Sequence, residues 1–446
     1  MSELKNYACY KSEFEHLLNS VKGSFIYNGD KVISKSEVVN IAKKIALTLN
    51  QGEVISISLQ NSPEWWMITL AGLLAGVTVI VYPHEKKKED MVLENEKFGV
   101  KYSFFSEEDV QAFLASATMP KQGFSFDGKI VLFTSGTQAN PKGVIIEMNN
   151  YVPNLIATQG RLHMNHKDIN TGMSPYSHAM GLMYGSCDFF FGGDFFICRN
   201  QLEFTNFIIS GKANIASMQP IYLESMIKLD KFVNAIASMR YVLVGGAPMS
   251  QGAYDFYCKT GAKIVNGYGM TECVAGIAIT DSESNNNNDR SLDIMESSII
   301  EISDEGEILV SGPTVCQKYI NGDSTVDSDG WYHTRDVGYI QDGKLYVTGR
   351  KDNVIVCENG YKISIEGLED KILKLQEIDE CVVEYVKKCL VISVVSVLNV
   401  EEIHALLDSN LEYYERPFRV KKVATIEVHN GCLLYTSDAA DDLIGV

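Results

Sequence analysis

Residues 25–83 alternate strand and helix patterns. Residues 25–27 are a short β-type run. Ser34 and Glu37 have the spacing of a capping box, and Val38, Ile41, Ile45 and Leu49 then fall on one helical face. Residues 54–59 read as a strand, and Asn61-Ser62-Pro63-Glu64 opens a second helix. From Trp65 to Tyr82 the chain runs 18 residues without a charge, the length at which a membrane span is considered. Gly72 and Gly76 punctuate that stretch, and residues 77–81 form a β-branched run. The better reading is a buried helix, a glycine break and a buried parallel strand ending at Pro83. This β-α-β-α-β order predicts a parallel α/β sheet. Residues 149–162 read as a helix. Residues 241–244 and 264–265 are apolar strands that each run into a Gly-rich turn, which suits the carboxyl edge of such a sheet, where ligands bind. Residues 366–376 read as a helix, and 381–386 and 390–397 as strands of a small α+β unit.

Composition narrows the class. The chain has 446 residues, of which 46% are hydrophobic, enough for roughly three domain-sized units with a sizeable core. With 57 acidic and 39 basic residues the net charge is −18, which argues for solubility and against a nucleic-acid partner. The ten cysteines show no CxxC pair and no zinc spacing, so they read as reduced thiols of a cytoplasmic protein. The first residues are charged and lack an apolar signal region.

The chemistry concentrates in residues 130–146, IVLFTSGTQANPKGVII. Two β-type runs flank a loop of small residues and hydroxyls. Its backbone N–H groups can converge on an anion, and Thr134, Ser135, Thr137 and Lys142 add donors without bulk. The bland alternative is a flexible hairpin loop. The GK[ST] ending of a P-loop is absent, because Gly143 and Val144 follow Lys142.

The string TSGTxxxPKG resembles the phosphate-binding signature of the acyl-adenylate-forming (AMP-binding) superfamily, which includes acyl-CoA synthetases, adenylation domains and luciferases. Other segments follow in family order. GEVISISLQNSPEWW is similar to the family's N-terminal strand and helix start. Pro175-x-x-His178-x-x-Gly181 resembles the segment lining the acyl pocket of acyl- and aryl-CoA ligases. GYGMTE, residues 267–272, is a specific match, and Gly330-Trp331-Tyr332-His333-Thr334-Arg335-Asp336 resembles W-[FY]-x-T-G-D with Arg335 in place of Gly. Gly349-Arg350-Lys351-Asp352 looks like the end of the large domain, and Gly360-Tyr361-Lys362 like the start of a small one.

The resemblance implies the roles. Thr134, Ser135, Gly136, Thr137 and Lys142 would grip the β- and γ-phosphates of ATP. Tyr268 would stack on adenine, with Gly246 and Ala247 beside the base and Asn266, Gly269 and Thr271 completing the nucleotide site. Asp336 would accept the ribose hydroxyls and Arg350 would contact the nucleotide. Glu272 would hold Mg²⁺, and Thr137, Lys142 and Glu272 would carry catalysis. His178, Gly245 and Met270 would line the substrate pocket, in which Gly181, Gly185, Gly192 and Gly193 suggest space. Asp352 would be the hinge.

The implied fold is α/β: a large N-terminal domain of parallel α/β subdomains plus a reduced β-barrel over 1–350, and a small mobile α+β domain over 351–431. Residues 432–446 match nothing in the family, the expected Gly-Lys is absent near Gly431, and this stretch reads as a non-native tail. The implied activity is an ATP-dependent acyl-CoA synthetase acting on a fatty or other organic acid, with ATP, Mg²⁺ and CoA. The alternatives are a ligase that loads an acyl carrier protein, and a catalytically impaired nucleotide-binding pseudoenzyme. A kinase-like NTPase is disfavoured by the missing lysine-hydroxyl pair.

Overall fold

The computed structural model describes residues 7–29, 31–116, 123–134, 142–284, 290–351, 354–356, 362–386, 389–411, 415–423, 426–429 and 432–435. Among these, a five-stranded sheet carries the first part of the chain, in the order Tyr102–Phe104, Val54–Ile57, Thr78–Val81, Lys129–Phe133 and Gly143–Ile146. The first four strands are parallel, and the last closes an antiparallel hairpin with Phe133 opposite Gly143. The uncharged stretch is the helix Pro63–Ala75 followed by the strand Thr78–Val81. Ser62 caps this helix by accepting the Trp65 N–H (3.2 Å), Pro63 takes the first turn, where no N–H is needed, and Gly76 ends it at φ +75°. Gly72 does not break the helix; it lets the helix settle on Val79 of that strand. No described helix is long and apolar enough to cross a membrane.

A thirteen-stranded sheet holds most of the rest. Its centre is parallel: Ile169–Gly172, Ile215–Met218, Tyr241–Gly245 and Ile264–Tyr268, with Tyr241 opposite Ile215 and Val242 opposite Ile264. The reduced barrel takes the form of an antiparallel run joined directly to that centre. Ala278–Ile279 follows Ile264–Tyr268, then Leu292–Ile294, Lys344–Arg350, Tyr332–Gln341, Glu307–Ser311 and Ile299–Ile302. The strand Ser24–Tyr27 differs from expectation. It forms an antiparallel hairpin with Lys31–Ser34 and does not join the five-stranded sheet of Val54–Ile57 and Thr78–Val81; it pairs in parallel with Asp194–Phe196 at the far flank of the large sheet. Period and length alone carry no information on which sheet accepts a strand.

The helix Lys35–Ala46 carries half of the expected capping box: Ser34 accepts the Glu37 N–H at 3.1 Å. Lys35 itself is fully buried and paired with Asp188 at 2.8 Å. Towards the C-terminus, Ile378–Val386, Cys389–Ser396 and Arg419–Lys422 form a three-stranded sheet packed with the helices Ile365–Ile372 and Val400–Asn410. This unit has its own core, which includes Leu368, Ile372, Ile392, Ile403 and Leu407. The backbone of Cys432–Tyr435 pairs antiparallel with Ile426–His429. Asp352 and Gly431 lie outside the described residues.

Candidate active site

The carboxyl ends of Tyr241–Gly245 and Ile264–Tyr268 open into a cavity of about 760 Å³. The phosphate-loop hairpin enters from the other sheet. Its described ends, Thr134 and Lys142, are tied together: the Thr134 N–H donates to the Lys142 carbonyl (3.0 Å), and the Lys142 N–H to Thr134 Oγ1 (3.3 Å). Both residues line the cavity. Ser135, Gly136 and Thr137 lie outside the described residues.

Gly245, Gly246, Tyr268, Gly269, Met270, Thr271 and Glu272 line the cavity, as do His178 and Arg350. Ala247 and Asn266 do not. Asn266 is held in the sheet ladder opposite Val244, and Ala247 lies past the turn, exposed. Gly246 sits at φ +81°, a conformation that glycine alone adopts without strain. Gly269 has the Ala275 carbonyl pressed against the position a Cβ would take.

Asp336 is 7% exposed and reaches the cavity through its partners. The Tyr268 hydroxyl donates to its Oδ2 at 2.7 Å, and Arg350 Nε lies 3.4 Å from its Oδ1. Burial, and then the neighbouring Asp336 charge, push the Tyr268 hydroxyl well above its ordinary pKa, so it stays a donor at neutral pH. Arg335, standing where the family string has Gly, has φ 60°, in the left-handed region. Its N–H donates to Glu307 Oε1 at 3.0 Å, and Lys351 Nζ lies 3.0 Å from Glu307 Oε2. Burial alone would raise the Glu307 carboxyl, but the Lys351 ammonium, the Arg335 N–H and His333 hold it below the usual carboxylate range.

The loop before the helix Ala179–Phe191 is held from a distance in sequence. Asn61 Nδ2 donates to the Ser174 carbonyl (3.0 Å), and Asn61 Oδ1 accepts the Tyr176 N–H (2.8 Å). Tyr176 packs against Trp65 and Trp66, and Trp66 stacks on Phe189. His178 begins the helix Ala179–Phe191 at the cavity wall. The glycines here do not provide pocket space, contrary to expectation. A Cβ on Gly181 would meet the Pro175 carbonyl, on Gly185 the Tyr176 ring, on Gly192 the Asp188 side chain and on Gly193 the Asp168 carbonyl. They allow close packing, and none of the four lines the cavity. The apolar lining is instead Met180, Met183, Leu243 and Ile279, with Thr158 and Gln219 as polar points.

Sequence reasoning missed Tyr319, Tyr332, Arg335, Thr158 and Gln219 as lining residues. Tyr332 and Arg335 lie inside the quoted Trp331–Asp336 string and were within reach of it. Thr158, Gln219 and Tyr319 stand in segments without any local signal.

An acyl-adenylate-forming fold with a cavity at the carboxyl edge of its sheet is the class these features define. The chain belongs to the AMP-binding enzyme family, whose profile matches residues 86–320, more than half its length. Its curated relatives are named CoA ligases, which are AMP-forming acid–thiol ligases. The 2-succinylbenzoate–CoA ligase of Listeria monocytogenes is 25% identical over 350 residues, covering 73% of this chain and 74% of that protein. The long-chain-fatty-acid–CoA ligase 1 of Cavia porcellus is 25% identical over 397 residues, covering 74% of this chain and 56% of that protein. Among solved structures, ATP-bound MatB from Rhodopseudomonas palustris is similar with TM-score 0.81 and 18% identity, covering 94% of this chain and 96% of that one. O-succinylbenzoate coenzyme A synthetase from Bacillus subtilis, solved with ATP and magnesium, is similar with TM-score 0.77 and 21% identity, covering 94% and 96%. AMP-binding CoA ligases use ATP, Mg²⁺ and CoA.

Proposed function

We propose that this chain is an ATP-dependent acyl-CoA synthetase. A carboxylate would attack the α-phosphorus of ATP to give acyl-AMP and pyrophosphate, and the CoA thiol would then displace AMP. The observation that carries this is one cavity lined by Lys142, Tyr268, Glu272 and Arg350, with Asp336 directly behind. Lys142 and Thr134 would take phosphate oxygens, Tyr268 the purine face, and Asp336 the ribose hydroxyls.

Glu272 fits a Mg²⁺ ion in kind. It is a hard carboxylate at the cavity wall, and Mg²⁺ is commonly held by one or two carboxylates together with substrate phosphates. Among the described residues no group of three or more His, Cys, Asp or Glu side chains could hold a metal alone, which agrees with an ion carried in on the triphosphate. When bound, such an ion offsets phosphate charge. Joining a carboxylate anion to a phosphate needs that electrostatic help more than a proton shuttle.

The apolar lining of Met180, Met183, Leu243 and Ile279 supports an organic acid with an apolar body, a fatty acid included. The names of the relatives favour CoA over a carrier protein as acceptor. A small domain beginning near residue 351 and turning about Asp352 between the two half-reactions completes the proposal. The test is hydroxylamine trapping of acyl-AMP across a carboxylate panel, with nucleotide products identified. AMP and pyrophosphate are expected. ADP would replace this reading with a kinase, and ATP binding without turnover would replace it with a pseudoenzyme.

A further inference from the structure

We propose that Tyr319 is a positioning residue that keeps the Lys142 ammonium and the Glu272 carboxylate apart, so that each stays available to a metal-bound triphosphate. This rests on the nucleotide site described above. Tyr319 is 8% exposed, lines the cavity and touches both groups. Its hydroxyl donates to Glu272 Oε1 at 3.1 Å, and Lys142 Nζ stands over its ring, 4.9 Å from the centroid. The aromatic face attracts a cation, and the hydroxyl occupies one carboxylate oxygen. Among the described residues the contact seen for the Lys142 ammonium is the Tyr319 ring and that for the Glu272 carboxylate is the Tyr319 hydroxyl, with no ion pair between the two. Such a pair would consume the charge that phosphate needs and the oxygen that a metal needs.

The backbone makes this placement rigid. The Ile320 N–H donates to the Gly143 carbonyl (2.7 Å) and the Ile145 N–H to the Lys318 carbonyl (3.1 Å), with Val144 bridged antiparallel to Tyr319. The Cys316 N–H donates to the Glu272 carbonyl at 2.8 Å. Residues 316–320 are therefore bonded at one end beside Glu272 and at the other beside the strand that follows Lys142. Tyr319 repeats with its side chain the link its segment makes with its backbone.

The two contacts separate by substitution. Tyr319→Phe keeps the ring under Lys142 and removes the bond to Glu272. Tyr319→Leu removes both and opens the way for Lys142 to collapse onto Glu272. The measurement is calorimetric ATP binding to the full chain with and without Mg²⁺, beside a thermal melt of each variant without nucleotide. For Tyr319→Phe, Mg²⁺-free ATP affinity should stay within about twofold of wild type, while the gain on adding Mg²⁺ falls about tenfold, the effect of one lost bond to a charged group. Tyr319→Leu should lose that gain too and also bind Mg²⁺-free ATP about threefold more weakly, the effect of one cation–π contact. Loss of packing alone would weaken both conditions equally. A full Mg²⁺ gain in Tyr319→Phe, or identical behaviour of the two variants, overturns the proposal. A wild-type chain that binds ATP but makes no acyl-CoA would sink the ligase reading and leave this comparison decisive. A wild-type chain that binds no ATP sinks both.

Discussion

At the scale of single residues, Asp336 and Arg335 pull in different directions. Asp336 is hydrogen-bonded by Tyr268 and lies against Arg350, so its carboxylate is held in one orientation, and the proposed role is to accept the ribose hydroxyls. A hydrogen bond to a charged group contributes about 1.5–3 kcal/mol. Asp336→Ala should therefore weaken ATP binding at least ~tenfold and bind ATP and 2′,3′-dideoxy-ATP equally. Discrimination equal to wild type would remove the ribose role. Arg335 holds φ 60° where an L-residue is strained by about 1–2 kcal/mol, a cost glycine avoids at the expense of about 0.5–1 kcal/mol of backbone entropy. Its side chain lines the cavity. Arg335→Gly is expected to raise stability by about 0.5 kcal/mol in urea unfolding while weakening ATP binding. A variant that is both less stable and unchanged in affinity would contradict this account of the strain.

At the scale of elements, the acyl side of the cavity is built by clamping the loop before the helix Ala179–Phe191 onto the start of the helix Pro63–Ala75. Asn61 supplies the two hydrogen bonds and Gly181 supplies the room. Gly181→Ala forces a methyl group into the Pro175 carbonyl, and overpacking of this kind costs about 1–3 kcal/mol. Asn61→Ala loses two bonds at about 1 kcal/mol each. Both changes should raise the KM for the carboxylate with less effect on the KM for ATP, because the loop leads into His178 and Met180 at the cavity wall but carries no proposed phosphate ligand. Steady-state kinetics with each substrate varied in turn would check this. Equal changes in the two constants would show that the clamp does not act on the acyl side.

At the scale of the whole molecule, Lys35 joins the first helices to the large sheet. Its Nζ lies 2.8 Å from Asp188 Oδ2 and donates to the Asp188 carbonyl at 2.7 Å, while Asn170 donates to the other carboxylate oxygen. The two side chains are 0% and 1% exposed. Burial pushes Lys35 down and Asp188 up, each towards its neutral form, and their mutual attraction opposes this. Removing one partner leaves an uncompensated buried charge. Lys35→Met should thus cost about 3–5 kcal/mol, while Lys35→Met with Asp188→Leu should recover most of that. Chemical denaturation of the two variants decides; a double variant as unstable as the single one would mean that packing, not charge, dominates here.

Local order was legible from the chain itself, because its causes are local. Ser62 and Pro63 start a helix and Gly76 ends it through capping and backbone freedom, and Thr78–Val81 form a strand because β-branched side chains suit a buried pleat. That Thr134, Lys142, Tyr268 and Glu272 meet at one cavity was legible for a related reason: they sit in short strings whose chemistry declares itself. What the sequence could not supply was which distant segments meet. The destination of Ser24–Tyr27, the Asn61 clamp and the buried Lys35–Asp188 pair all join residues with nothing between them in sequence to mark the pairing. Tyr319 is the sharpest case. Its segment has no motif, and its place between Lys142 and Glu272 exists only because two hydrogen-bonded ends hold it there. Periodicity and capping are properties of neighbours along the chain, whereas register, close approach and charge pairing are properties of neighbours in space.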